Sequence, residues 1–568
     1  MELFELDFEP IGRRGKCRAD QSMLDCARQQ GVDLVSICGG VGTCGTCVVQ
    51  VLSGRVSDPT SIELEALTSQ ALMDGYRLAC QAFPLSDCKL YVPPESLSTP
   101  QRTQVEGLEF IVELESLVCA YRVELPPTSL TDMRSDIRRL RNVLEQQHHI
   151  CCNKADIDVL RGISPILRLR NWTAQVSVRD REIVALAPWP SRQLGLAFDL
   201  GTTKIACYLV DLQDGRTLAS QGFMNPQISY GEDLIVRLTR ASESPAEAAR
   251  LQQLVVEAIN KAVGELCEKV SVKSEQIVEA VGVGNTAMHH LFLRLPVAQL
   301  ALAPYVPAVG DALDIKARDV GLKIAPGAYL HMLPNIAGFV GGDHVAMLLA
   351  TGAWKSDGVE LALDIGTNTE ICLTVDGKPT SVSCASGPAF EGAHIKHGMR
   401  AADGALEHVR LVNDRVEFQT IGGAPPVGIC GSGILDALAQ LRLAGVLDRR
   451  GKIGDHARTR LIEGKKEFVL VSEAELEGRP AITITQHDVQ ELQLAKGAIR
   501  AGIQVLVNSK GLSEQDIQKV LIAGAFGTYI DVASAVVIGM LPPLPLERFK
   551  QVGNAAGAGA RQALISSS

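Results

Sequence analysis

Apolar and polar residues alternate along Leu3–Phe8, so that successive side chains fall on opposite faces of a strand. From about Asp20 to Gln30 the spacing becomes helical, and Gly31 is placed to stop that helix. A second apolar strand is predicted over Cys47–Leu52. The run Val92–Thr103, rich in Pro, Ser and Thr, breaks both periodicities and reads as a linker. These signals place a compact β-rich domain at 1–94 and a linker at 95–125. Farther on, Arg134–Gln147 is helical by pattern, with Met133, Ile137, Leu140 and Leu144 at helical spacing. Ala174–Val178 and Ile183–Ala187 flank a charged turn as a hairpin would. A small α+β domain at 126–190 follows, with no chemistry-bearing motif, and docking or dimerisation is its expected role.

From Gly195 onward, Gly-rich turns, apolar strands and long helical stretches alternate in α/β fashion, giving a third domain at 191–568. A duplication shows within it. Leu194–Gly215 (LGLAFDLGTTKIACYLVDLQDG) resembles Leu361–Gly377 (LALDIGTNTEICLTVDG), with Asp364 following Asp199 by 165 positions. Each copy reads as apolar strand, tight turn, second strand and an Asp-Gly hairpin signal. A repeat of this length predicts two similar half-domains facing across a cleft.

The length of 568 residues is too great for a single core and fits three or four domains. With 46% apolar and 21% charged residues the composition is that of an ordinary globular chain. The longest apolar run, Val532–Leu546, is too short to span a bilayer and contains Pro542 and Pro543, so no membrane partner is expected. The opening MELFELDFEP lacks the basic and apolar regions of a signal peptide. A net charge of −10 argues against nucleic acid. Residues 1–95 hold 13 Asp and Glu against 8 Lys and Arg, an acidic balance that could orient a carrier on a basic partner or simply be solvated.

The chain has 15 cysteines, of which Cys38, Cys44, Cys47 and Cys80 carry a pattern: C-x5-C-x2-C and a distant fourth. This approaches the plant-type [2Fe–2S] spacing of C-x4-C-x2-C plus a remote Cys. Gly39, Gly40, Gly42 and Gly45 let such a loop turn sharply and aim backbone N–H groups at sulfur. A zinc site would favour two CxxC pairs, and here there is one tight triad. The other eleven cysteines show no disulfide-framework spacing, which favours a reducing, cytoplasmic setting.

The duplicated turns carry a second chemistry. Gly201 and Gly366 permit close approach of a phosphate to the backbone. Thr202, Thr203, Thr367 and Asn368 add side-chain donors to an anion-binding nest of N–H groups. Asp199 and Asp364, at strand ends, can hold Mg²⁺ directly or through water, and Lys204 is placed for a β- or γ-phosphate. Two such turns specify a nucleotide phosphate chain where one alone would be an ordinary hairpin.

Asp199–Thr203 (DLGTT) and Asp364–Asn368 (DIGTN) resemble the two phosphate motifs of the ASKHA superfamily of acetate and sugar kinases, Hsp70 and actin. Leu521–Gly527 (LIAGAFG) resembles its adenosine motif, which sets Gly524 and Gly527 against the nucleoside of ATP. Gly282–Thr286 (GVGNT) is expected as a connecting strand and turn between the halves. The layout of β-grasp-like ferredoxin domain, linker, small α+β domain and duplicated α/β ASKHA domain resembles that of the reductive activators of corrinoid proteins. Asn225–Gly231 with Glu232 and Asp233, Gly284–His289, Gly341–Asp343, Ala385–Glu391 and Cys430–Gly433 resemble that family too.

The resemblance implies one-electron reduction of Co(II) to Co(I) on a separate corrinoid methyl-transfer protein, driven by Mg-ATP. It also implies an upstream low-potential electron donor and a homodimer. Asp343 and Glu391 are candidates for the base that activates water, or else structural carboxylates. His289, His290, His394 and His397 lack a metal-ligand spacing and read as core or surface residues, and the adjacent pair Cys151 and Cys152 receives no role. Two rivals stand beside this reading: a small-molecule kinase with a redox-sensing ferredoxin domain, and an ATP-operated clamp. The activators of radical 2-hydroxyacyl-CoA dehydratases share the energetic logic but lack an N-terminal [2Fe–2S] domain.

Overall fold

A computed structural model describes the chain except for residues 1–2, 10–12, 31, 33, 37, 94–95, 97–112, 232–233, 393, 400, 477–479, 525 and 567–568. The expected helix stop Gly31, most of the linker Val92–Thr103, and Glu232, Asp233 and Ala525 lie outside the described residues. Two compact units divide the chain. One comprises 1–102, 226–243 and 355–551; the other comprises 103–225, 244–354 and 552–568. The expected single domain at 191–568 is therefore shared between them.

In the first unit the N-terminal residues form a five-stranded sheet in the order Arg13–Arg18, Leu3–Glu9, Cys88–Tyr91, Val48–Ser53, Tyr76–Leu78. Leu3–Glu9 runs parallel to Cys88–Tyr91, and the remaining pairs are antiparallel. The helix Met23–Gln29 is capped by Ser22, whose hydroxyl accepts from the Asp25 amide at 3.2 Å, and it buries Met23, Leu24 and Ala27 against Leu6, Phe8 and Leu90. This is the expected β-grasp arrangement. Cys17 and Cys26, two of the eleven cysteines that showed no disulfide-framework spacing, are joined as a disulfide inside that core. Their two elements are adjacent in space but left no spacing signal.

The strand Tyr76–Leu78 is anchored by an ion pair that water does not reach. Arg77 Nε and Nη2 donate to the two oxygens of Glu63 at 2.8 and 2.7 Å, and the Leu78 amide adds a third bond at 3.0 Å. Glu63 also completes a capping box with Thr60. Removing one member of a buried pair leaves an uncompensated charge and costs about 3–5 kcal/mol. Glu63→Ala is expected to destabilise this domain by that order, read as an earlier melting of its visible absorption in a thermal scan.

The second half of the duplicated region has a sheet ordered Lys378–Cys384, Thr369–Val375, Val359–Ile365, Lys519–Ala523, Phe549–Gly553. The other unit holds the first half, ordered Thr217–Met224, Lys204–Asp211, Leu194–Leu200, Ile277–Gly284, Tyr329–Met332, Leu313–Lys316. In both, three antiparallel strands are followed by one that runs parallel to the first. The Asp-Gly signals lie at the hairpins, with Gly215 at φ 75° and Gly377 at φ 72°. Gly282–Thr286 is not a connector between halves: it is the end of the inner strand Ile277–Gly284 of the first half and the start of helix Thr286–Leu293. That strand stands where Lys519–Ala523 stands in the second.

The second unit also contains the small α+β domain, a sheet ordered Val118–Glu124, Thr173–Arg179, Glu182–Ala187, Lys154–Ala155 with helices Asp136–His148 and Ile157–Leu169. Val118–Glu124 pairs along its whole length with Thr173–Arg179, which corrects the expected linker of 95–125: its last residues belong to the sheet. Met133 precedes the helix and is exposed, contrary to its expected place on the apolar face. The domain docks on the edge of the first half through charge. Arg179 bonds Glu279 at 3.2 Å and Asp314 at 2.6 Å, Lys316 bonds Glu182 at 2.9 Å, and Arg318 bonds Asp156 at 2.8 Å. Burial pushes the Glu279 carboxyl up to about 8 against the pull of Arg179.

Helix Ala555–Ile565, rich in Ala and Gly, also belongs to this unit. It packs against helix Gly342–Thr351, where Gly559 lies so close to the Ala346 carbonyl that a Cβ would clash. Leu564 covers Gly195 in strand Leu194–Leu200 in the same manner. No helix among the described residues is long and apolar enough to cross a membrane.

Candidate functional site

The loop Cys38–Cys47 turns on glycines with φ of 71° at Gly39, 105° at Gly40, 98° at Gly42 and 67° at Gly45. These values lie in the region that only glycine enters without strain. The Gly42 amide donates to Cys38 Sγ at 3.2 Å, as expected of a backbone that feeds N–H groups to sulfur. Cys44 Sγ lies 3.2 Å from Cys38 Sγ, and this contact draws Cys38 toward its thiolate. Cys47 and Cys80 face each other as the second pair, nearly buried at 1% and 7% exposure. The Ala79 amide donates to the Cys47 carbonyl at 2.8 Å, fixing the two backbones immediately beside both thiols.

Among the described residues no three His, Cys, Asp or Glu side chains gather around one point, and the four thiols stand instead as two pairs. Two thiolates for each of two irons is the donor set of a plant-type cluster, and the residues present fit it.

The first D-x-G-T turn closes the strand Leu194–Leu200 with Asp199 half-buried at its end. A side chain at Gly201 would collide with the Lys204 carbonyl, so the turn can be this tight only with glycine. Asn225, itself 1% exposed, clasps it from behind: Nδ2 donates to the Gly201 carbonyl at 2.9 Å and the amide to the Thr203 carbonyl at 2.9 Å. The second turn is held likewise. The Gly366 amide bonds the Asn368 carbonyl at 3.0 Å, and Ser386 bonds the Thr369 hydroxyl at 2.9 Å and the Thr367 carbonyl at 3.4 Å. Asn225 and Ser386 each lie just beyond the third strand of their repeat. The repeat does not mark them, because by strand register Asn225 aligns with Ala385, one position before Ser386. Removing a buried donor costs about 1–3 kcal/mol. Asn225→Ala is thus expected to weaken ATP binding roughly ten- to a hundredfold, measurable by equilibrium titration with a fluorescent ATP analogue.

Gly524 follows strand Lys519–Ala523 at φ 91°, and a Cβ there would fall 2.6 Å from Asp364 Oδ1 and 2.5 Å from the Ile365 carbonyl. The expected adenosine motif is thereby brought directly against the second phosphate turn. Gly527 permits a similar close approach to the Ala523 carbonyl. Phe526 stacks on Phe390 with centroids 4.8 Å apart, closing the floor beneath the helix Gly431–Leu443. Desolvation pushes the Asp364 carboxyl up to about 6. Of the two candidate bases, Glu391 accepts from the Thr367 hydroxyl at 2.7 Å, inside the second turn, while Asp343 accepts from the His344 amide at 2.7 Å in the first turn of its helix.

His289 and His290 are buried, and desolvation lowers both, His289 to about 4, so they stand neutral in the core. His290 Nε2 accepts from the Ala308 amide at 3.0 Å. His394 is exposed beside Glu491. Cys151 is exposed and Cys152 buried, and they share no site.

Four stretches of the chain match described families. Residues 7–85 match a 2Fe-2S iron-sulfur cluster binding domain, 108–192 the RACo linker region, 194–356 the RACo middle region, and 358–568 the C-terminal domain of RACo, the ASKHA domain. The chain is 32% identical over 558 residues to the corrinoid activation enzyme RamQ of Eubacterium limosum, covering 95% of this chain and 90% of that protein. It is 27% identical over 405 residues to the [Co(II) methylated amine-specific corrinoid protein] reductase of Methanosarcina barkeri, covering 66% of this chain and 70% of that one. A solved structure of a reductive activator for corrinoid, iron-sulfur protein superposes with a TM-score of 0.72 at 35% identity, covering 99% of this chain and 92% of that one.

Proposed function

The chain belongs to the family of reductive activators of corrinoid proteins, and from that premise we propose that it couples ATP to the one-electron reduction it performs. It reactivates a corrinoid protein by returning inactive Co(II) to Co(I), the state able to accept a methyl cation. The [2Fe–2S] domain belongs to the activity, and the cluster, when bound by Cys38, Cys44, Cys47 and Cys80, supplies electrons one at a time.

The physical difficulty is thermodynamic. A plant-type centre lies near roughly −400 mV, while Co(II)/Co(I) lies very low, and each ~59 mV of mismatch costs a factor of about ten for one electron. ATP can offset several such factors. In the proposal Thr202, Thr203 and Lys204 of one turn and Gly366, Thr367 and Asn368 of the other bind its phosphates. Gly524 and Gly527 lie against the nucleoside. Asp199 and Asp364 would hold Mg²⁺, whose charge offsets that of the phosphates. Asn225 and Ser386 keep the two turns in shape, and Glu391, bonded to Thr367, is the better placed carboxylate to orient water. A homodimer, an upstream low-potential electron donor and a cytoplasmic setting complete the proposal.

The observation that carries it is the presence, in one chain, of two thiol pairs and of two clasped D-x-G-T turns. The experiment is anaerobic. The reduced protein is mixed with a Co(II) corrinoid methyl-transfer protein, and Co(I) absorbance is followed with and without Mg-ATP. Co(I) that forms only with ATP supports the coupling. Equal rates without nucleotide, or steady ATP turnover on a small molecule with no Co(I), would overturn it.

A further inference from the structure

The face of the cluster loop at Gly39 is covered within its own unit by the segment Pro226–Glu243. A Cβ on Gly39 would fall 2.7 Å from the Tyr230 carbonyl and 3.0 Å from Val236 Cγ1. Arg240 Nη1 donates to the Gly39 carbonyl at 3.3 Å. Two guanidiniums stack on the Tyr230 ring: Arg28, from the helix Met23–Gln29, at 4.8 Å and Arg240 at 5.1 Å. Arg28 also pairs with Asp25 at 3.2 Å. Within the segment the wholly buried Arg237 donates to the Gly231 carbonyl at 2.6 Å. The other side of the loop stays open, with Val41 63% exposed.

We propose that Pro226–Glu243 is a seat for the cluster loop, latched by Tyr230 between Arg28 and Arg240, and that the seat sets the reduction potential of the cluster. The inference rests on the reading of the four cysteines as cluster ligands. An electron taken up by a cluster on those thiolates would add negative charge to the loop whose Gly39 carbonyl receives the Arg240 guanidinium, and that cation would stabilise the reduced form. At a protein-like dielectric a unit charge within about 10 Å shifts such an equilibrium by roughly tenfold. While seated, the chain is easier to reduce by its upstream one-electron donor, which has access from the Val41 side. Leaving the seat withdraws Arg240 and Tyr230, and the same stored electron becomes more reducing toward Co(II). One electron enters from the donor and one leaves to cobalt, so the count is balanced. Desolvation lowers the Arg28 pKa, with Asp25 holding against it.

The test uses the full-length holoprotein. Midpoint potentials are measured by anaerobic redox titration for Arg240→Gln, Arg240→Lys, Tyr230→Ala and Tyr230→Phe, with amide hydrogen exchange of the peptide spanning Cys38–Cys47 followed in parallel. Arg240→Gln and Tyr230→Ala should lower the reduction equilibrium three- to tenfold, about 30–60 mV, while Arg240→Lys and Tyr230→Phe stay near the unmodified protein. Exchange in the loop should quicken most with Tyr230→Ala. Unchanged potentials in Arg240→Gln and Tyr230→Ala would overturn the proposal, whatever the exchange does. The visible absorption of the unmodified protein reports the cluster separately, so a failure of the cysteine reading is distinguishable.

Discussion

Cys44→Ser is expected to abolish Co(I) formation, by at least about a hundredfold, while leaving ATP turnover in place. Cys44 is one half of a thiol pair whose sulfurs are 3.2 Å apart, and its own Sγ is 3.1 Å from the Thr46 hydroxyl. Serine keeps the size and the hydroxyl contact but replaces a soft, ionisable thiolate with a group that stays protonated at neutral pH. One iron would then keep a single thiolate from the chain. The visible absorption of the purified variant reports the loss directly, and phosphate release reports the nucleotide turns. The second of these turns lies on strands that share no core residue with the N-terminal sheet. Co(I) formation at the normal rate in this variant would mean the electron takes a route that avoids the loop.

Asp364→Asn should act in the opposite region and in two directions at once. Its carboxyl is desolvated by packing against Gly524, which raises its pKa from 3.8 to about 6. The sign follows from linkage. The folded protein favours the neutral acid, so ionising it above pH 6 costs stability that the unfolded chain does not lose. A rise of one pH unit in a pKa corresponds to about 1.4 kcal/mol, so the full cost is about 3 kcal/mol at most. The amide, which never ionises, is expected to melt higher than the natural protein at pH 8 without nucleotide. The gap should close as pH falls through 6 toward 4. Mg-ATP should stabilise the natural protein and not the variant, and ATP turnover should fall by at least about a hundredfold. A variant that melts lower at pH 8 while turning over ATP normally would falsify both roles.

What the sequence made legible was chemistry that constrains the backbone locally. The cysteine loop, the first D-x-G-T turn and the expected adenosine motif need glycine at stated places, and Gly39, Gly42, Gly201 and Gly524 all meet an atom that a Cβ would strike. Features built by distant segments were not legible. Asn225 and Ser386 hold the turns from a strand away, and neither amide nor hydroxyl announces a clasp by spacing. The pairing of Cys17 with Cys26 depends on a helix folding back on its preceding strand. Val118–Glu124 was hidden because a strand at a sheet edge, with several exposed positions, carries a weak alternation. The placing of Gly282–Thr286 failed for another reason. A Gly-rich turn suggests the end of a half, whereas these glycines allow close packing on Phe198 and Leu200 inside one.

Helix Ala555–Ile565 completes the layer behind Leu194–Leu200, yet in sequence residues 355–551 of the other unit come between it and the rest of its own. On the ribosome this has a temporal meaning. The first half emerges with Gly195 and the surface of helix Gly342–Thr351 uncovered, and roughly 200 further residues must be made before their cover arrives. At 5–20 residues per second that is on the order of 10–40 s. During that interval the nascent chain exposes an apolar stripe, and its second half can finish folding before its first.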